Sequence, residues 1–283
     1  MDDSSALDFF ARPIGIFDSG MGGLSVLKAL RTELPDEHFI YIADSGHAPY
    51  GERDDAHVIE RSLKIAAYLV SQDIKALVVA CNTATAAAID VLRITYPLLP
   101  IVGVEPALKP AVAVSATKHI AVMATRSTLA SARFAALLAA HAGQAEFVLL
   151  PCDGLAEAIE QAAQDSDATK VIAACARVIG ATGAFDDRKQ SGNSSKRVDT
   201  LVLGCTHYLF AAQHIAALVG PSVQMLDTGE AVARQTRRLL GNASPTQQAG
   251  QIEFISTGEP AALSAAANAW LALTVDVRTL HIQ

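Results

Sequence analysis

One unit recurs along this chain and constrains its fold: a short apolar run, a cluster of small or polar residues, then a helical pattern. Pro13 to Phe17 leads into Asp18-Ser19-Gly20-Met21-Gly22-Gly23 and a helix reaching about Arg31. Phe39 to Ala43 leads into Asp44 to Gly51 and a helix over Ala56 to Ser71. Ala76 to Ala80 leads into Cys81-Asn82-Thr83 and a helix from Ala84 to Tyr96. Ile101 to Val104 precedes Glu105-Pro106 and another helix, and His119 to Met123 precedes Thr125-Arg126-Ser127-Thr128 and a helix over Leu129 to His141. Phe147 to Leu150 is followed by Cys152-Asp153-Gly154 and a long helix, and Thr200 to Leu203 by Gly204-Cys205-Thr206-His207 and a helix. Alternating strands and helices predict an α/β fold with mostly parallel sheets. The near-continuous apolar strands suit sheets covered by helices on both faces. In such sheets ligands collect at the carboxyl ends of the strands, where every polar cluster above falls.

The length of 283 residues fits two compact domains or one large one, and 51% hydrophobic with 18% charged residues supplies a sizeable core. A net charge of -7 gives no basic field for nucleic acid or an anionic membrane. A small anionic substrate remains compatible, held by local amides and hydroxyls. The four cysteines, Cys81, Cys152, Cys175 and Cys205, form no Cys-x-x-Cys pair, so no metal site is expected. The first eleven residues are polar and acidic with one short apolar patch, and lack the regions of a secretion signal. They read as a tail, and the polar stretch Phe185 to Arg197 as a solvated connector. No apolar run approaches membrane-spanning length, so the expectation is a cytoplasmic protein with reduced thiols and no membrane partner.

Two segments share one plan. Leu77-Val78-Val79-Ala80-Cys81-Asn82-Thr83 and Leu201-Val202-Leu203-Gly204-Cys205-Thr206-His207 each run from apolar strand through a small residue to a cysteine and then to polar donors. Two similar α/β domains facing one cleft would set these cysteines opposite each other. Inverting an amino acid's α-carbon needs a proton removed from one face and one delivered to the other, which two matched groups accomplish. Thiols suit this, because a strand-end, helix-start position lowers their pKa from about 8.5. Asp18, at the end of the first strand, is the expected proton-exchange partner of Cys81, and His207 that of Cys205. Asn82, Thr83, Thr206, Ser19 and the amides of Gly20 to Gly23 can hold carboxylate or ammonium groups.

The plainer readings stand beside these. A lone cysteine after a buried strand is ordinarily a small core residue, and Cys152 and Cys175 are read that way. Asp18-Ser19-Gly20 also suits a helix cap, and His207 also suits a helix start. Gly20-Met21-Gly22-Gly23 lacks the third spaced glycine of a dinucleotide turn, since Ser25 stands there, and no Gly-Lys-Ser/Thr motif is present.

At these residues the sequence resembles the bacterial glutamate racemases, within the aspartate/glutamate racemase superfamily. The matching segments are Ile14 to Val26, Tyr41-Ile42-Ala43-Asp44 with Pro49-Tyr50-Gly51, Val79 to Thr85, Gly103-Val104-Glu105-Pro106, and Leu203 to Tyr208. They fall in the family's order and span most of the chain. The resemblance implies two α/β domains with the active site in the cleft between them. It implies interconversion of L- and D-glutamate without pyridoxal phosphate or another cofactor, supplying D-glutamate for peptidoglycan. It makes Cys81 and Cys205 the catalytic thiols, with Cys81 acting on D-glutamate and Cys205 on L-glutamate, and Asp18 and His207 their helpers. It lines the substrate with Asp18, Ser19, Tyr50, Gly51, Asn82, Thr83, Thr206 and His207. The family's Gly-Thr-x-x-Thr loop reads Ala124-Thr125-Arg126-Ser127-Thr128, which adds Thr125 and Thr128. Its Ala-Cys-Pro segment reads Pro151-Cys152-Asp153, a departure that leaves the nearby acidic helper open, with Glu160 close to its place.

By the same resemblance the first domain is discontinuous, 12–99 plus 209–283, and the second is 100–208. Homodimers are common in the family. The rival readings are a related racemase of aspartate or hydantoin type, and a non-catalytic protein that binds a large partner such as a topoisomerase.

Overall fold

The computed structural model describes residues 12–183, 185, 197–241 and 250–282. The expected tail, 1–11, and nearly all of the connector between Phe185 and Arg197 lie outside the described residues. The chain divides into two units, one taking the described residues of Met1–Val104 and Gly229–Gln283, the other Glu105–Thr228. The strands are β1 (Ile14–Asp18), β2 (Phe39–Ala43), β3 (Ala76–Val79), β4 (Ile101–Gly103), β5 (His119–Ala124), β6 (Glu146–Pro151), β7 (Thr200–Leu203), β8 (Gln224–Leu226), β9 (Ile252–Ser256) and β10 (Val277–Thr279).

Among the described residues the first unit holds a six-stranded parallel sheet in the order β10-β9-β2-β1-β3-β4. The second unit holds a four-stranded parallel sheet in the order β6-β5-β7-β8. Each unit therefore contains the same arrangement: a first strand in the middle, its successor on one side, and the next two strands on the other. Every residue of β1, β2, β3 and β7 is buried, which is why these strands read as unbroken apolar runs rather than alternating ones. In both sheets the strand order reverses beside the first strand. A crevice outside the carboxyl ends opens at such a reversal and is where α/β proteins bind ligands. The last registered pairs there are Phe17 with Val79 and Met123 with Leu203. Each ladder continues one step further, with Ala80 N–H donating to the Phe17 carbonyl at 2.8 Å and Gly204 N–H to that of Met123 at 2.7 Å.

Packing within each unit corrects some of the expected boundaries. β8 bonds to β7, and the helix Ala212–Val219 packs on the helix Thr169–Gly180, so 209–228 stays in the second unit rather than returning to the first. β4 pairs with β3 before the chain crosses over, which moves the other boundary from 99 to Val104. The helix expected over Leu129–His141 is two helices, Arg126–Ala130 and Ala132–Ala139. Ser131 breaks it by turning extended (φ -69°, ψ 146°) and accepting a hydrogen bond from Phe134 N–H on its own Oγ.

Thr85, in the helix Asn82–Thr95, ties β3 to the residue that follows its edge neighbour β4. Its hydroxyl donates to the Val79 carbonyl at 3.3 Å and accepts from Val104 N–H at 3.0 Å. A buried ion pair, Lys75 with Glu37, joins the segments that enter β3 and β2. The helices Gly229–Leu240 and Leu24–Glu33 pack together, with Arg237 reaching Glu33 at 2.7 Å. No helix among the described residues is long and apolar enough to cross a membrane.

Candidate active site

The residues singled out in the sequence gather into two groups, one at each strand-order reversal. In the first unit Cys81 stands in extended conformation (φ -127°, ψ 123°) immediately before the helix Asn82–Thr95. Its sulfur accepts a hydrogen bond from Ala84 N–H at 3.4 Å, so the thiol itself caps the helix. Unpaired amides and the helix dipole favour negative charge on a group placed there. The same thiol donates to Ser19 Oγ at 3.5 Å, as the continued register of β1 and β3 requires.

Asp18 is fully buried, and its Oδ2 accepts from Gly23 N–H at 2.8 Å and Gly20 N–H at 3.4 Å. The glycine at position 23 is required by space: a Cβ there would sit 2.7 Å from Asp18 Cβ and 2.9 Å from the Tyr41 hydroxyl. Asp18 thus orders the glycine turn that precedes the helix Leu24–Glu33, whose start carries no side-chain cap.

Asn82 and Thr83 are buried in the first turn of the helix that Cys81 caps, which starts two residues before the expected Ala84. Asn82 Nδ2 reaches the Val104 carbonyl at 3.5 Å. Tyr50 and Gly51 lie in a short 3-10 turn, Tyr50–Glu52, with the Tyr50 ring buried. Burial, the adjacent Asp44 carboxylate and the nearby Cys81 sulfur together push the Tyr50 phenol far above its ordinary pKa.

In the second unit Cys205 takes the corresponding extended position (φ -145°, ψ 138°) before the 3-10 helix Thr206–Ala211. Its Sγ lies 3.6 Å from His207 Nδ1, and His207 Nε2 lies 2.7 Å from Glu160 Oε1. Burial works against a charged His207, but hydrogen bonds and charge from Cys205 and Glu160 outweigh it and hold the imidazole pKa well above its ordinary value. As an imidazolium, both ring nitrogens donate. Glu160, in the helix Leu155–Asp165, is the acidic partner whose position the sequence left open.

Thr206 is buried beside Cys205, while Thr125, which caps the helix Arg126–Ala130 after β5, bonds to Thr128 in that helix's first turn at 2.9 Å. By continued register Thr125 is level with Cys205 across the β5–β7 edge, the place that Ser19 has relative to Cys81. The remaining thiols differ in kind. Burial pushes Cys152 far above the ordinary thiol range and Cys175 up to about 11, which leaves both as neutral core groups.

A duplicated parallel α/β architecture, with a buried thiol just past the carboxyl end of the third strand in each unit, defines the class of protein. Within that class the chain belongs to the Asp/Glu/Hydantoin racemase family, whose match covers residues 15–186. It is 47% identical over 249 residues to a glutamate racemase of Ectopseudomonas mendocina, covering 87% of this chain and 90% of that one. Over 96% of this chain the fold matches glutamate racemase isoform RacE1 of Bacillus anthracis, with a TM-score of 0.83, 27% identity and 98% of that chain covered. It also matches Escherichia coli glutamate racemase, solved with L-glutamate and the activator UDP-MurNAc-ala, with a TM-score of 0.80 and 28% identity over 96% of this chain and 99% of that one.

Proposed function

We propose that this protein interconverts L- and D-glutamate with Cys81 and Cys205 as its two proton-transfer groups, without a cofactor, in the cytoplasm, and that it thereby supplies D-glutamate for peptidoglycan. One thiolate takes the α-hydrogen as a proton, and the electron pair of the broken C–H bond passes into the adjoining carboxylate. The other thiol then gives its proton to the opposite face of the α-carbon. The substrate leaves inverted, and the two sulfurs have exchanged protonation states. Asp18 and the His207–Glu160 pair reset them by proton exchange with solvent. Ser19, Tyr50, Gly51, Asn82, Thr83, Thr125, Thr128 and Thr206 hold the ammonium and carboxylates.

The observation that carries this reading is the recurrence of one cysteine position, two residues beyond the last registered pair of the third strand, in both copies of the strand order. The relatives named glutamate racemase point to glutamate as the small-molecule substrate. The test is incubation of the protein with L-glutamate in heavy water without added cofactor. D-glutamate bearing α-deuterium is the expected product. Turnover that requires pyridoxal phosphate, or that occurs with aspartate or a hydantoin and not glutamate, overturns the reading. A homodimer belongs to the same proposal, and sedimentation as a monomer would remove it.

A further inference from the structure

We infer that Asp44 is a positioning residue for the Tyr50–Gly51 segment, holding that stretch in the shape in which it meets the substrate. This rests on the reading above of Tyr50 and Gly51 as substrate-lining residues. Asp44 directly follows β2, is fully buried, and has both carboxylate oxygens engaged. Oδ2 accepts from the Tyr50 hydroxyl at 2.5 Å and Arg61 Nε at 3.0 Å. Oδ1 accepts from Arg61 Nη2 at 2.8 Å and the Thr257 hydroxyl at 2.8 Å. The segment being held, the helix Asp55–Ser71 and the turn after β9 are thus pinned to one carboxylate. Arg61 extends the network through Nη1, which donates to the Ile282 carbonyl at 3.1 Å.

The stretch between Asp44 and Glu52 has little regular structure of its own. Its two 3-10 turns, Ser45–His47 and Tyr50–Glu52, are three residues each, too short to hold a shape alone. It is pressed instead against the turn after β9. Gly46 N–H donates to the Thr257 hydroxyl at 3.1 Å, and a Cβ on Gly46 would come within 2.6 Å of the Thr257 carbonyl.

A buried ion pair such as Asp44 with Arg61 contributes little net stability, because desolvation offsets the attraction. What it supplies here is fixed geometry with no net charge. The Tyr50 phenol stays protonated throughout the physiological range, so its hydroxyl is a constant donor to Asp44.

The experiment compares wild type with Asp44→Asn, Tyr50→Phe, their double variant and Thr257→Val. It reads steady-state kinetics in both directions, together with hydrogen–deuterium exchange over residues 46–53. Loss of a hydrogen bond to a charged group predicts a KM raised roughly tenfold in Asp44→Asn and Tyr50→Phe, with kcat within about twofold. The double variant should be no worse than Asp44→Asn alone, since both singles remove the Tyr50–Asp44 bond, and Thr257→Val should show a smaller rise. Exchange over 46–53 should quicken in each. Unchanged KM in variants that exchange faster or melt lower shows a merely structural network and overturns the inference. If Asp44→Asn fails to fold, Tyr50→Phe and Thr257→Val decide by the same KM readout. If the wild-type protein leaves glutamate untouched, the proposed function is overturned. The hold of Asp44 is then judged by exchange alone, and unchanged protection in the variants overturns it.

Discussion

Cys81 and Cys205 each stand two residues past the last registered pair of the third strand in a parallel sheet, beyond Val79 in one unit and Leu203 in the other. Their surroundings nevertheless differ. Cys81 has a helix amide and the Ser19 hydroxyl within hydrogen-bond reach, whereas Cys205 has an imidazole backed by a carboxylate. Two equivalent backbone positions thus carry two different sets of hydrogen-bonding neighbours.

On the proposed two-thiol mechanism, removing either sulfur should stop inversion, because one thiol would serve only one face of the α-carbon. Cys81→Ala and Cys205→Ala are each expected to lose roughly 10²–10⁴-fold in conversion of L- to D-glutamate, the scale of a general acid or base. Chiral chromatography of the product checks this, with circular dichroism confirming that each variant folds.

The raised pKa of His207 gives Glu160→Gln a sign that can be read directly. A folded-state value above the unfolded 6.5 stabilises the protein fully below pH 6.5, and that contribution is lost as pH rises through the raised value. Glu160→Gln should bring the imidazole back toward its ordinary value and destabilise the protein most below pH 6.5, the difference shrinking at alkaline pH. Titration of the His207 ring by NMR, and urea unfolding across the pH range, measure the two effects. A ring that titrates identically in both proteins contradicts the assignment.

How much of this was legible in the sequence follows from burial. Strands β1, β2, β3 and β7 announce themselves because they are buried throughout and demand unbroken apolar runs, and β6 shows through its apolar run Phe147 to Leu150 although only Leu150 is buried. β8 and β10 leave no such mark. Gln224 in β8 is exposed, and β10 is an edge strand carrying the exposed Arg278 and Thr279. The break at Ser131 had a signal, a serine ahead of an apolar helix, that continuous helical periodicity concealed. Cys81, Cys205 and His207 stood out because each follows a strand, and Asp18 because it ends one. The partnership of Glu160 with His207 spans 47 residues, and that of Asp44 with Arg61 runs from a strand end to a helix face, so spacing could reveal neither.

Thr85→Val should destabilise the first unit without touching the chemistry. The valine leaves Val104 N–H without the acceptor it has at 3.0 Å, which costs about 1–3 kcal/mol when such a group is buried. Urea unfolding should show that loss while KM and kcat stay at wild-type values.

The Lys75–Glu37 pair separates breaking a buried charge pair from replacing it. Lys75→Met alone strands a carboxylate that is 8% exposed and should cost about 3–5 kcal/mol. The double variant Lys75→Met with Glu37→Leu should recover most of that loss. A double variant as unstable as the single one would show that the charges matter for more than each other.

β9 lies against β2 from Phe39–Ile252 through Ala43–Ser256, yet the whole of Glu105–Thr228 is synthesised between them. A nascent chain therefore carries the apolar β2 with one side unsatisfied while the later unit, continuous in sequence, already has all its strands. An open edge of that kind is a template for pairing with a stranger. A polypeptide stopped short of Ile252 never closes it, and its fate is self-association rather than a smaller working enzyme.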